Sequence, residues 1–202
     1  MEVTGHGLYR AEHRALRELY AGARQLCGHW VRLAARSGGR PATVLEHGAR
    51  ATEELLDELA TRTGELGLHG FPAAQGAGGR LAGLRNNAGD LLLERNQALR
   101  MAVLDVQHVT TLLAYLQRLA ATRGDEGLAA FHARWEERLL AVERDARAAA
   151  VELGCDPASA VVPADQGTLG RAGHQVASAL GTAGEAIDNS AVGRAARRFA
   201  RD

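Results

Sequence analysis

The segment Leu99–Ala121 reads LRMAVLDVQHVTTLLAYLQRLAA and is apolar on almost every face of a helix. A helix that is apolar all round is typical of one covered by its neighbours on several sides. Its length also suits a membrane span, but six polar side chains within it would be costly in lipid: Arg100, Asp105, Gln107, His108, Gln117 and Arg118. We therefore predict the most buried helix of a bundle, with His108 near its middle.

Three further long helices are predicted around this central one, over 8–36, 41–66 and 128–153. Apolar residues at alternating spacings of three and four place one stripe on each helix, and Trp30, Trp135 and Tyr20 lie on these stripes as packing residues. A short Ser-Gly-Gly break predicts that the first two helices are antiparallel. The glycine-rich stretch 67–79, followed by a short helical piece at 80–87, forms a long connection that can place the second and third helices parallel.

The predicted fold class is therefore all-α: an up-down four-helix bundle over 1–157 with a long connection between helices 2 and 3. Residues 158–202 are predicted to form a linker and a C-terminal tail, helical or disordered. The tail ends in an arginine-rich stretch, which favours either a peptide that docks on an anionic surface or partner protein, or a frayed end. Its arginines are Arg194, Arg197, Arg198 and Arg201.

Composition excludes some classes of function. The formal net charge is zero, and all 24 basic residues are arginine, which argues against a general nucleic-acid binder. Cys27 and Cys155 are the only cysteines, and we interpret them as reduced packing residues of a cytoplasmic protein rather than as a disulfide. No apolar leader opens the sequence, no Gly-rich phosphate loop or nucleophile elbow is present, and the Ala, Gly and Arg bias is typical of a GC-rich bacterial genome.

Two motifs resemble the ferritin-like family typified by the bacterial stress proteins YciE and YciF. Residues 17–26, RELYAGARQL, are similar to that family's R-D-L-Y-x-A-E-x-Q-L, and Val106-Gln107-His108 is similar to its V-E-H. The resemblance spans roughly residues 10 to 153. It implies a four-helix bundle, often paired as a homodimer, with a two-metal site of carboxylates and histidine between the helices.

The family pattern breaks at the positions that would hold metal. The resemblance places acidic ligands at Ala23, Ala51, Gln107 and Thr110, and only the fourth helix keeps acids, at Glu136 and Glu137. Alanine offers no ligand, and glutamine and threonine offer only neutral oxygens. Our main interpretation is a non-enzymatic ferritin-like bundle with a degenerate metal site and no cofactor. It would act as a structural or interaction protein, stress-associated and homodimeric.

The alternative is a metal-binding ferritin-like protein that handles iron or oxidants with an unusual ligand set. Asp105 and His108 are spaced i, i+3 and share a helix face, so this interpretation places them with Glu136 and Glu54 around iron or manganese. The plainer interpretation of His108 is a core histidine that hydrogen-bonds a neighbouring helix or Asp105 itself.

The remaining charged groups are predicted to lie on the surface. Adjacent residues on a helix point about 100° apart, so Glu12-His13 and Glu46-His47 are read as surface pairs rather than metal pairs. Two acidic patches, with arginines at helical spacing such as Arg62, are read as solvated, salt-bridged faces. The first contains Glu53, Glu54, Asp57 and Glu58, and the second Glu136, Glu137, Glu143 and Asp145.

Overall fold

A computed structural model of the protein describes residues 7–68, 93–165 and scattered residues from 167 to 186. Four long helices dominate it, and the described ranges contain no β-strand, although an isolated β-bridge joins Glu94 to Pro163. The helices are α1 (Arg10–Ala34), α2 (Gly39–Glu65), α3 (Arg95–Arg123) and α4 (Glu126–Glu152). The predicted all-α four-helix bundle is confirmed, and the predicted helices overlap the observed ones closely.

The turn between α3 and α4 shows why these helices end where they do. Gly124 caps α3 in the left-handed conformation, with φ of 82°, which glycine adopts without steric cost. Asp125 then caps α4, since its side chain accepts a hydrogen bond from the backbone N–H of Leu128 at 2.9 Å. This hydrogen bond is also the main reason why the pKa of Asp125 lies below its ordinary value. Two residues thus reverse the chain and make α3 and α4 antiparallel.

Helix α1 packs against α2 and α3, and α4 packs against the same two helices. Contacts near the helix ends set the directions: Glu12–Arg123 and Trp30–Ala102 for α1 with α3, and Arg40–Glu152 and Glu58–Arg134 for α2 with α4. Both pairs are antiparallel, so α2 and α3 are parallel and lie diagonally. The parallel placement predicted from the long connection is therefore observed. The predicted short helix at 80–87, within that connection, lies outside the described residues.

The tryptophans are packing residues, as predicted. Trp30 is fully buried and its indole N–H donates to the carbonyl of Ala102 at 3.3 Å. A Cβ added at Gly48 of α2 would come within 2.0 Å of the Trp30 ring, so α1 and α2 approach closely only because residue 48 is glycine. Trp135 is buried on α4, and Tyr20 is half-buried against the same core.

Helix α3 departs from its prediction. It is not covered all round, because Met101, Leu104 and Tyr115 are 39, 54 and 47% exposed. Its sequence is apolar on almost every face, but each helix of a four-helix bundle occupies a corner and keeps one side outside. The apolar residues on that outer side reach solvent in this chain.

Residues 157–165 are not a free linker. A short helix, α5 (Pro157–Ala160), leads into a strand-like segment that bonds the start of α3. The backbone N–H of Ala164 donates to the Leu93 carbonyl and that of Arg95 to the Val162 carbonyl, both at 2.9 Å, and Ala164 is buried. These hydrogen bonds hold the backbone at 162 and 164 against the start of α3. Of the predicted tail, the described residues between 168 and 186 are helical.

Candidate functional site

Three of the four residues proposed as metal ligands pair with different residues. Asp105 bonds the Nδ1 atom of His29 on α1 at 2.5 Å, and Glu54 pairs with Arg138 on α4 at 2.5 Å. Glu136 is half-buried on α4. Across the ranges that the structure describes, no three His, Cys, Asp or Glu side chains come together as a metal-binding group. The structure does not bring the predicted set together.

His108 is not a core histidine. Its side chain is 54% exposed, and its Nε2 lies 3.5 Å from a carboxylate oxygen of Glu18 on α1. The expected hydrogen bond with Asp105 is also absent from this pair, because the Asp105 carboxylate faces the buried His29. The spacing of Asp105 and His108 was right for a shared face, but Asp105 turns toward the α1 seam and His108 toward solvent.

Hydrocarbon occupies the positions where the resemblance expects acidic ligands on α1 and α2. Ala23 is fully buried and Ala51 is 1% exposed, both within the main core. On α3, Thr110 is buried and its hydroxyl donates to the Gln107 carbonyl of its own helix at 3.0 Å. The Gln107 amide donates outward to Glu143 at 2.7 Å. In place of four carboxylates, these positions therefore hold two methyl groups, a hydroxyl that bonds its own helix and an amide that bonds Glu143.

Glu12 is a buried charge and not half of a surface pair. It is fully buried, and Arg123 binds both of its carboxylate oxygens at 3.1 Å. Arg123 also binds Asp125 at 3.0 Å, and the hydrogen bond that Arg123 donates to Glu12 raises the pKa of its guanidinium. The group ties the start of α1 to the end of α3. The signal was available, since Glu12 lies four residues before Leu16 on the apolar stripe of α1.

His132 is a second buried ionisable group that the sequence analysis did not predict. It is fully buried on α4, its ring packs edge-on against Phe131, and neither ring nitrogen has a hydrogen-bond partner among the described residues. Burial lowers its pKa to about 4. The signal was again its place on the core stripe, four residues after Leu128 and three before Trp135.

The first acidic patch is salt-bridged, but to a different helix than the spacing predicted. Arg134 and Arg138 of α4 bind Glu58 and Glu54 of α2, whereas Arg62 of α2 pairs with Glu65. The Arg138 guanidinium also lies 4.8 Å from the centre of a Trp135 ring. The patch is thus an exposed ladder that joins α2 to α4. Glu46 and His47 are exposed, as predicted.

Charge is divided between two opposite sides of the bundle. Helices α1 and α3, here called the basic side, carry nine arginines and three acidic residues, a net charge of +6 with histidine neutral. Helices α2 and α4, the acidic side, carry seven arginines and twelve acidic residues, a net charge of −5. All twelve acids of the acidic side are exposed or half-exposed. A net charge of zero therefore hides a strongly polarised molecule.

The two cysteines differ from each other. Cys27 is half-buried and its thiol donates to the Ala49 carbonyl at 3.7 Å, and burial raises its pKa. Cys155 is exposed, so it is not the packing residue that we predicted. Both are free thiols in the structure.

Comparison of the chain with protein-family models, with curated proteins and with solved structures finds no match. None of the described helices is both long enough and apolar enough to cross a membrane. What this protein does must therefore be inferred from the placement of its own residues.

Proposed function

We propose that this protein is a non-enzymatic helical bundle of ferritin-like architecture that acts through its surface and not through a metal centre. The observation that carries the proposal is the burial of Ala23 and Ala51 in the core, at positions where the resemblance calls for carboxylates. Two divalent cations need several anions around them, and methyl groups supply none. Most charged residues of the four helices lie on the outside of the bundle, on two oppositely charged sides.

The proposal is tested by metal analysis of the full chain, expressed in the cytoplasm of a host and purified without chelators. We expect iron, manganese and zinc well below one equivalent per chain. Added ferrous iron should also be oxidised no faster than with Asp105→Asn/His108→Ala protein. Stoichiometric metal that this double variant loses would overturn the proposal in favour of a metal-binding protein that uses Asp105 and His108.

We further propose that the protein works as a homodimer, which is supported by the family resemblance. Light scattering coupled to gel filtration should give twice the chain mass of 21.4 kDa. A mass of one chain at micromolar concentration would contradict this part of the proposal and leave the metal question untouched.

A further inference from the structure

Helices α1 and α3, both fully described, present few acidic groups on the outer surface of the basic side. Of its three acids, Glu12 is buried and Asp105 is held by His29, so only Glu18 is exposed. Arg123 bonds inside the bundle and Arg95 bonds the Ser159 hydroxyl. The other seven arginines are exposed or half-exposed: Arg10, Arg14, Arg17, Arg24, Arg32, Arg100 and Arg118.

The same side also exposes apolar groups. Leu104 and Tyr115 lie eleven residues apart on α3, which brings them to nearly the same angle around the helix, and Met101 lies about 60° away. Beside them Gly22 of α1 lies against the His108 ring, where an added Cβ would lie 3.6 Å away. The exposed face of α3 is therefore apolar along Met101, Leu104 and Tyr115, and Arg100 and Arg118 lie about 40° from Leu104 on the same helix.

We propose that the basic side is a docking surface for an anionic lipid bilayer, on which the bundle lies flat with α1 and α3 against the headgroups. Arginine next to an anionic leaflet is favourable, and exposed leucine, methionine and tyrosine gain from insertion at the boundary of headgroups and acyl chains. The opposite side carries a net charge of −5, so the same field orients the molecule with its acidic side outward.

Charge and shape favour this partner over two others. A second copy placed face to face would set arginines against arginines. A nucleic-acid duplex would use the arginines but would gain little from Leu104 and Met101, because its affinity comes from phosphate contacts. Two antiparallel helices side by side, each about 40 Å long, instead offer a flat face that matches a planar surface. The inference rests on the proposed function, namely that the protein works through its surface.

The test is flotation of the full chain with vesicles of phosphatidylcholine alone or mixed with phosphatidylglycerol. We expect binding only to the anionic vesicles, with loss of binding as salt screens the charges. Arg14→Glu/Arg118→Glu on the basic side should lower the partition coefficient at least about tenfold. Arg50→Glu/Arg144→Glu on the acidic side makes the same change in net charge at exposed positions, and should leave the coefficient within about twofold. Leu104→Ser should weaken binding several-fold without changing the helical circular dichroism.

The inference is overturned if anionic vesicles are not bound, if neutral vesicles are bound equally, or if both double variants lose binding alike. It is also overturned, in favour of nucleic acid, if duplex DNA binds the basic side while vesicles do not and Leu104→Ser has no effect. Metal content is measured on the same samples. Stoichiometric metal that Asp105→Asn/His108→Ala protein loses would contradict the proposed function, whatever the vesicle result. Metal-free protein that does not bind anionic vesicles would contradict the docking surface alone.

Discussion

The basic and acidic sides both join their helices by ion pairs, but the pairs lie at different depths. On the basic side Glu12 is fully buried and Arg123 is 20% exposed. On the acidic side Arg40 and Glu152 are more than half exposed. The residue types are the same in both pairs. The two pairs should differ in the stability that is lost when one partner is removed. This loss is large where water cannot replace the lost contact and small where it can.

The largest difference between the two sides is expected at Arg123. Arg123→Met leaves the Glu12 carboxylate buried without its partner and should lower the free energy of unfolding by about 3–5 kcal/mol. Glu12→Met/Arg123→Met should recover most of that loss, because the uncompensated charge is gone. Urea unfolding followed by circular dichroism measures both. A double variant as unstable as the single one would contradict this account of the cost.

The acidic side contains one buried polar group without a partner, and it should make stability depend on pH. Burial holds the pKa of His132 at about 4, against an ordinary value of 6.5. Between pH 6.5 and about 4, His132 binds a proton in the unfolded chain but stays neutral in the folded chain. The free energy of unfolding should therefore fall by about 3 kcal/mol as pH drops from 7 to 4.

Urea unfolding of wild type and His132→Leu at a series of pH values isolates this contribution, since leucine is close in volume and does not titrate. The variant should lose most of the slope between pH 6.5 and 4, while His47→Ala, at an exposed position, should keep it. Equal slopes in wild type and His132→Leu would show that the ring finds a partner on protonation.

The contact between α1 and α2 and the contact between α1 and α3 should differ in how well they tolerate an added methyl group. Gly48→Ala drives a methyl group to within 2.0 Å of the Trp30 ring and should cost about 1–3 kcal/mol through overpacking. Gly22→Ala, on the seam of α1 with α3, meets only an ordinary contact at 3.6 Å and should gain up to about 1 kcal/mol from helix propensity. Thermal unfolding of the two variants should therefore shift in opposite directions, and a shared direction would contradict the packing.

The smallest effect is expected at the exposed pair. Arg40→Ala should change the free energy of unfolding by less than about 1 kcal/mol, and the change should disappear at high salt. Measured beside Arg123→Met under the same conditions, it completes the comparison of the two sides. A cost as large as that of Arg123→Met would mean that depth does not explain the difference.

Much of the fold was predictable because helical stripes are a local property. The bounds of α1, α2 and α4 fall within two residues of the predicted ones, and the tight turn at Gly124 and Asp125 was visible as a break. The chemistry was less predictable. Glu12 and His132 lie on core stripes, but a polar residue on a stripe carries no mark of its partner. Arg123, the partner of Glu12, is 111 residues away along the chain.

Periodic apolar residues and turn residues specified four helices, their approximate lengths and the buried faces of α1, α2 and α4 from the sequence alone, since each depends on neighbours within a few residues. The tertiary structure decided which helices share a side. Helices α2 and α3 lie diagonally, so the two basic helices, α1 and α3, lie together and the two acidic helices, α2 and α4, lie opposite. The polarity of the molecule arises from that pairing, because the net charge of each helix is local but its position in the bundle depends on contacts far apart in the chain.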